Sequence, residues 1–223
     1  MEHMTKKQAK KTASKKAATA EVQTKKRVIT LMHTIGYILA ACGLLGLLAA
    51  SVLMLEKMAV LQDPNYQPSC NLNPVISCGS VMQTKQADAF GLSNSIVGIA
   101  GFSVVATIGF AIIAGAQFKR WFWRGMLAGS TFGVTFSMWL FLQGVYNIGA
   151  VCPYCALIWV VTIVQFIYVL YYCVEVGHIP VPAKIRRPVN FLKRHHGDVL
   201  FVWLLAIALI ILTHFWYYWK TLL

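Results

Sequence analysis

Acidic side chains are scarce. Asp and Glu number 7 in 223 residues, and all charged residues together make up 12 %. Water-soluble domains carry about 25 %, so a soluble globular protein is excluded. No two carboxylates are placed as an acid–base pair. A phosphate-cradling glycine loop and a set of histidines spaced as metal ligands are also missing. What fills the chain instead is apolar: 58 % of residues are hydrophobic, and mean hydropathy is +0.62.

Five apolar segments run over about 28–56, 96–117, 125–147, 152–174 and 199–219, each long enough for the roughly 20 residues of a spanning helix. The expected fold is an all-α integral membrane protein with five transmembrane helices. The net charge of +13 is not a nucleic-acid footprint, and no nucleic-acid partner is expected, because the cations are sorted between the segments. If the segments alternate in direction, every Lys and Arg except Lys57, Lys85 and Lys220 falls on one side. The positive-inside rule makes that side, and the N-terminus, cytoplasmic.

Residues 1–27 read as a disordered basic cytoplasmic tail and 28–175 as a four-helix domain with an outer loop over 57–95. Residues 176–198 read as a basic cytoplasmic loop, and 199–223 as an additional spanning helix ending in an aromatic belt. The first segment stays apolar too long for a signal peptide, so it is read as a retained helix. Glu56 is taken to end that helix. Gly125, Gly129 and Gly133, four residues apart, read as a ridge permitting close helix contact.

Six cysteines carry the chemical signal. Cys42 and Cys173 lie within helices and read as packing residues. Cys70 and Cys78, in "SCNLNPVISCGS", lie in the outer loop, and Cys152 and Cys155, in "VCPYC", lie at the outer mouth of the fourth helix. These four face the side where disulfides form. Pro153 suits the first position of a helix. That makes Cys152 the N-cap and puts both sulfurs at the positive end of the helix dipole, which favours the thiolate. A disulfide closing so short a loop stabilises little, whereas a C-x-x-C pair is a good exchange couple. Asn71, Asn73, Pro74 and Gly79 mark the Cys70–Cys78 segment as a turn-rich, deformable loop. Static disulfides and a four-thiolate zinc site are the alternatives to redox exchange.

"SCNLNPVISCGSVM", "GLSNSIVGIAGF" and "GAVCPYC", in this order and topology, resemble the bacterial branch of the vitamin K epoxide reductase family over roughly residues 30–175. The resemblance implies a four-helix up-down bundle around a quinone, of menaquinone or ubiquinone type. It also implies a thiol:quinone oxidoreductase, active on the extracytoplasmic face of the bacterial inner membrane, that reoxidises a DsbA-like thioredoxin-fold protein. Carried over by residue, Cys70 exchanges with the partner, Cys78 passes electrons to Cys152, and Cys155 stands beside the quinone ring. Asn94, next to Ser93, bonds a quinone carbonyl. Where animal members have a tyrosine this chain has Trp159, four residues after Cys155 and on the same helix face, within reach of the ring.

Overall fold

The computed structural model describes residues 2–63, 65–180, 189–191 and 194–220, with side chains described at Gln23 and from residue 26 onward. The long helices are α1 (Glu2–Gln62), α3 (Asn94–Ile113), α4 (Arg120–Leu142), α5 (Pro153–Glu175) and α6 (His196–His214). Short turns of helix lie at α2 (Cys78–Met82) and α7 (Trp216–Trp219). A 3-10 turn occupies Lys85–Asp88, and a π-helical turn over Gln143–Ile148 prolongs α4. Among the described residues the extended pairing is a single parallel bridge, Ile76 to Val151. Five helical stretches are long and apolar enough to cross a membrane: Lys26–Gln62, Asn94–Ile113, Arg120–Ile148, Pro153–Glu175 and His196–His214. The protein is an all-α, multi-pass membrane protein.

Two boundaries differ from expectation. The arm over 1–27 is not disordered but helical from Glu2. No Gly or Pro precedes Gly36, and the Ala, Lys and Gln that fill the segment are strong helix formers. The loop expected over 57–95 is shorter, because α1 continues to Gln62 and α3 begins at Asn94. Of the basic loop over 176–198, residues 181–188 and 192–193 lie outside the described residues, and Lys184, Arg186, Arg187 and Lys193 with them.

Helix α1 packs on α3 and α5, α4 packs on α5, and α6 leans on α5. The closest approach is between α1 and α3. A Cβ on Gly43 would stand 2.4 Å from the Ala106 backbone nitrogen, and one on Gly109 would stand 2.3 Å from that of Ala40. The α4 glycines correct the expected contact ridge. Gly125 and Gly129 meet nothing within 4 Å, and Gly133 reaches only a Thr162 methyl at 3.6 Å. A row of glycines marks either a close approach or a space, and here it marks a space. Consecutive helices α3 and α4 do not pack along their length, and a cavity lies between them.

The end of the bundle remote from Cys70, Cys78, Cys152 and Cys155 is closed by Trp123, Tyr172, Cys173, Ile35 and Ile112. There Arg120 Nη2 donates to the Gly177 carbonyl at 2.6 Å and Arg124 Nε to that of His178 at 3.0 Å. At the cysteine end Phe215, just after α6, is fully buried against Val75, Val145, Val151 and Trp159. The additional helix therefore supports the site rather than standing apart from it.

Candidate functional site

Two segments distant in sequence meet at the cysteine end. The Val151 N–H donates to the Val75 carbonyl at 2.8 Å, and the Ser77 N–H donates to the Val151 carbonyl at 3.2 Å. This backbone clasp lays the residue before Cys78 beside the residue before Cys152. The loop itself is held by its own polar side chains. Asn73 Oδ1 accepts from the N–H groups of Val75 (3.0 Å) and Ile76 (2.7 Å). Asn71 Oδ1 accepts from Gly79 N–H (2.9 Å) and Ser77 Oγ (3.0 Å). Ser77 caps α2 by accepting from Ser80 N–H. The loop expected to be deformable is thus pinned around its disulfide, since Asn and Ser satisfy backbone donors that no helix or sheet serves.

Cys70 and Cys78 are joined by a disulfide, with Cα atoms 5.6 Å apart. Cys152 and Cys155 are free thiols. Cys152 Sγ lies 3.0 Å from Cys78 Sγ, and the sulfurs of Cys70, Cys78 and Cys152 all lie within 4.8 Å of one another. A thiol in contact with a disulfide sulfur is the arrangement that thiol–disulfide exchange requires. Cys152 is the N-cap of α5 with Pro153 after it, as expected. The Cys155 thiol hydrogen-bonds to Cys152 and holds its pKa below the ordinary thiol value. Burial opposes this, and the N–H groups of Cys155 and Tyr154 add to it. Two of the three clustered sulfurs are covalently joined, and Cys155 is not in the cluster.

Cys155 packs with Cys152 on one side and with Trp159 on the other. It lines a cavity of about 960 Å³, along with Cys152, Trp159, Asn94, Ser93 and the three α4 glycines. Trp159 is buried, edge-on to Phe141 with ring centroids 5.1 Å apart. Asn94 lines the cavity, yet its amide also ties down the preceding loop. Its Nδ2 donates to the Gln86 carbonyl at 2.7 Å, and its Oδ1 accepts from Ala89 N–H at 3.3 Å. One hydrogen on Nδ2 is left for a ligand. Ser93, at the N-cap, makes no capping bond. Gln143 also lines the cavity, whereas Tyr146 turns away against His214. An apolar space of this size between membrane helices, with a thiol on its wall and a spare amide donor, fits a lipid-soluble quinone.

Glu56 does not end α1, which continues for six more residues. Its buried carboxylate accepts from Tyr66 Oη at 3.0 Å, from Ser69 Oγ at 2.5 Å and from Ser69 N–H at 3.4 Å. It therefore anchors the residue preceding Cys70. The signal that finds it is a lone carboxylate within an apolar segment, which is expensive unless it has work to do. Glu56→Leu leaves these three donors without an acceptor. The expected loss of stability is about 2–3 kcal/mol, read as a lowered thermal midpoint in detergent, with Glu56→Gln losing less. Equal midpoints for Glu56→Leu and the parent would remove Glu56 from this role.

Spanning helices around an apolar cavity, with a buried thiol set against a disulfide at its mouth, define a membrane protein built for thiol–disulfide exchange. The model of the vitamin K epoxide reductase family matches residues 37–170, more than half the chain, and the protein belongs to that family of oxidoreductases. The match runs from α1 into α5 and leaves out α6. Among curated proteins nothing matches the chain.

Proposed function

We propose that the protein is a thiol:quinone oxidoreductase that reoxidises a DsbA-like thioredoxin-fold protein and passes the electron pair to a membrane quinone of menaquinone or ubiquinone type. The observation that carries this is the 3.0 Å contact between Cys152 and the disulfide sulfur of Cys78, with Cys155 on the cavity wall. Static disulfides would need no third sulfur in contact.

A partner thiolate attacks Cys70, forming a mixed disulfide and releasing Cys78 as a thiolate. The partner's second thiol resolves that bond, leaving the partner oxidised and Cys70 and Cys78 reduced by two electrons. Cys78 then attacks Cys152 in a Cys152–Cys155 disulfide and releases Cys155 as a thiolate. Cys70 closes back on Cys78 and frees Cys152, so the electron pair now rests on Cys152 and Cys155. Outer pair oxidised and inner pair reduced is the covalent state seen here. A quinone held in the cavity would supply the sink for two electrons and two protons. Cys155 presents its sulfur to the cavity, Asn94 offers its spare N–H to a ring oxygen, and Trp159 walls the space. The sorting of Lys and Arg supports an extracytoplasmic cysteine end, and the resemblance to bacterial family members supports a bacterial inner membrane.

Trapping the partner tests this. A periplasmic thioredoxin-fold protein lacking its resolving cysteine attacks the Cys70–Cys78 disulfide with its one thiolate and stays on Cys70 as a one-to-one mixed disulfide, with Cys78 released as a thiol, identified by mass. Capture through Cys155 instead, or no capture, would contradict the assigned order.

A further inference from the structure

Among the described residues few buried polar side-chain atoms lack a partner, and two belong to residues that line the cavity: Ser137 Oγ and Gln165 Oε1. A serine or threonine within a membrane helix ordinarily returns its hydroxyl to the carbonyl four residues earlier. Thr131 and Thr162 do so, to Leu127 and Ile158. Ser137, only 4 % exposed, does not, and an unspent hydroxyl is costly where water is excluded.

The register of α4 on α5 fixes the depth of each group. Gln165 Nε2 donates to Ser130 Oγ at 3.2 Å, and Gly133 faces Thr162. Continued outward by one turn, this antiparallel register sets Ser137 level with Ile158, three residues from Cys155 and about 4.5 Å further in. Gln165 lies ten residues in, about 15 Å along the axis, too deep for a ring that touches Cys155. The two oxygens of a para-quinone are about one helical turn apart, ~5 Å. A ring beside Cys155 that extends inward by this length brings its inner oxygen to the level of Ser137, while Asn94 lines the same cavity. Trp159, at the same depth, carries its one donor on an indole whose ring is packed edge-on to Phe141.

We propose that the Ser137 hydroxyl is the hydrogen-bond donor to the second ring oxygen of the quinone. This deepens the thiol:quinone assignment and rests on it. Ser137 is a binding and positioning group: it fixes the plane of the ring against Cys155 and draws electron density toward the far oxygen as the ring is reduced.

The test is infrared difference spectroscopy on the full-length oxidised protein in detergent, which does not turn over. The probe is a short-chain naphthoquinone labelled with ¹³C at its carbonyls. In the parent protein both carbonyl bands lie below their free positions. In Ser137→Ala one band returns toward the free position while the other stays, and the dissociation constant rises about threefold to tenfold, as for one hydrogen bond. Ser137→Thr, which keeps the hydroxyl, keeps the band. Identical band pairs in Ser137→Ala and the parent would overturn the role of Ser137 and leave the quinone assignment standing. No bound carbonyl bands in the parent would overturn both.

Discussion

Replacing Cys155 with alanine reduces quinone reduction to background while the protein still folds. Cys155 is partly exposed at the meeting of two packed groups, and losing one sulfur there costs about 1 kcal/mol. The chemical loss is total, because Cys155 is the thiol on the cavity wall and Cys152 alone cannot hold an electron pair in a form that a quinone can collect. What accumulates is equally specific. Cys152 lies against Cys78, so its attack exchanges the Cys70–Cys78 bond for a Cys78–Cys152 bond and frees Cys70. No oxidant is consumed, and no neighbouring thiol remains at Cys155 to reverse the step from the inner side. Peptide mapping without reduction then shows a Cys78–Cys152 cross-link in Cys155→Ala that the parent lacks. Full quinone turnover in this variant would place the electron exit elsewhere.

The second large effect falls on the helix crossing that carries the cavity. Gly109→Leu prevents α1 and α3 from closing. Even the first carbon of a side chain would stand 2.3 Å from the Ala40 nitrogen and 2.7 Å from its Cα. Backbone atoms in a helix cannot move aside as a side-chain tip can. Overpacking commonly costs about 1–3 kcal/mol, and a clash against backbone belongs at or above the upper end of that range. The expected result is a protein that fails to accumulate, or melts far earlier than the parent. Gly125→Ala on α4 provides the contrast. Nothing lies within 4 Å of its new methyl, and alanine gains about 0.8–1 kcal/mol of helix propensity. Its thermal midpoint stays at or above that of the parent. Equal destabilisation by the two substitutions would mean that both glycines lie at helix contacts.

The contrast between these glycines shows what the sequence could and could not carry. Five spans follow from run length alone, because a membrane demands one apolar stretch per crossing. The place of Cys152 at a helix N-cap follows from Pro153, a local rule. The partners of a glycine do not follow from its spacing. Gly125, Gly129 and Gly133 repeat every four residues, yet the first two face a space and the third meets only a Thr162 methyl, while Gly43 and Gly109 make the close crossing. The four cysteines are legible as a group from topology and motif. Their juxtaposition depends on the clasp between Val75, Ser77 and Val151, two segments more than seventy residues apart, which no local pattern announces. The same holds for Glu56, whose acceptor role needs Tyr66 and Ser69 to fold back onto α1. Ser137 was invisible as a site because a serine among apolar residues normally spends its hydroxyl on its own helix.

The most direct test of the relay is an anaerobic single-turnover experiment. The reduced thioredoxin-fold partner is mixed with this protein and a short-chain quinone, and quinone absorbance and free thiols are followed together. One quinol formed for each partner dithiol oxidised in the parent, with the quinone loss absent in Cys155→Ala, is the predicted result. Partner oxidation in the parent without matching loss of quinone, or quinone loss that survives in Cys155→Ala, would contradict it.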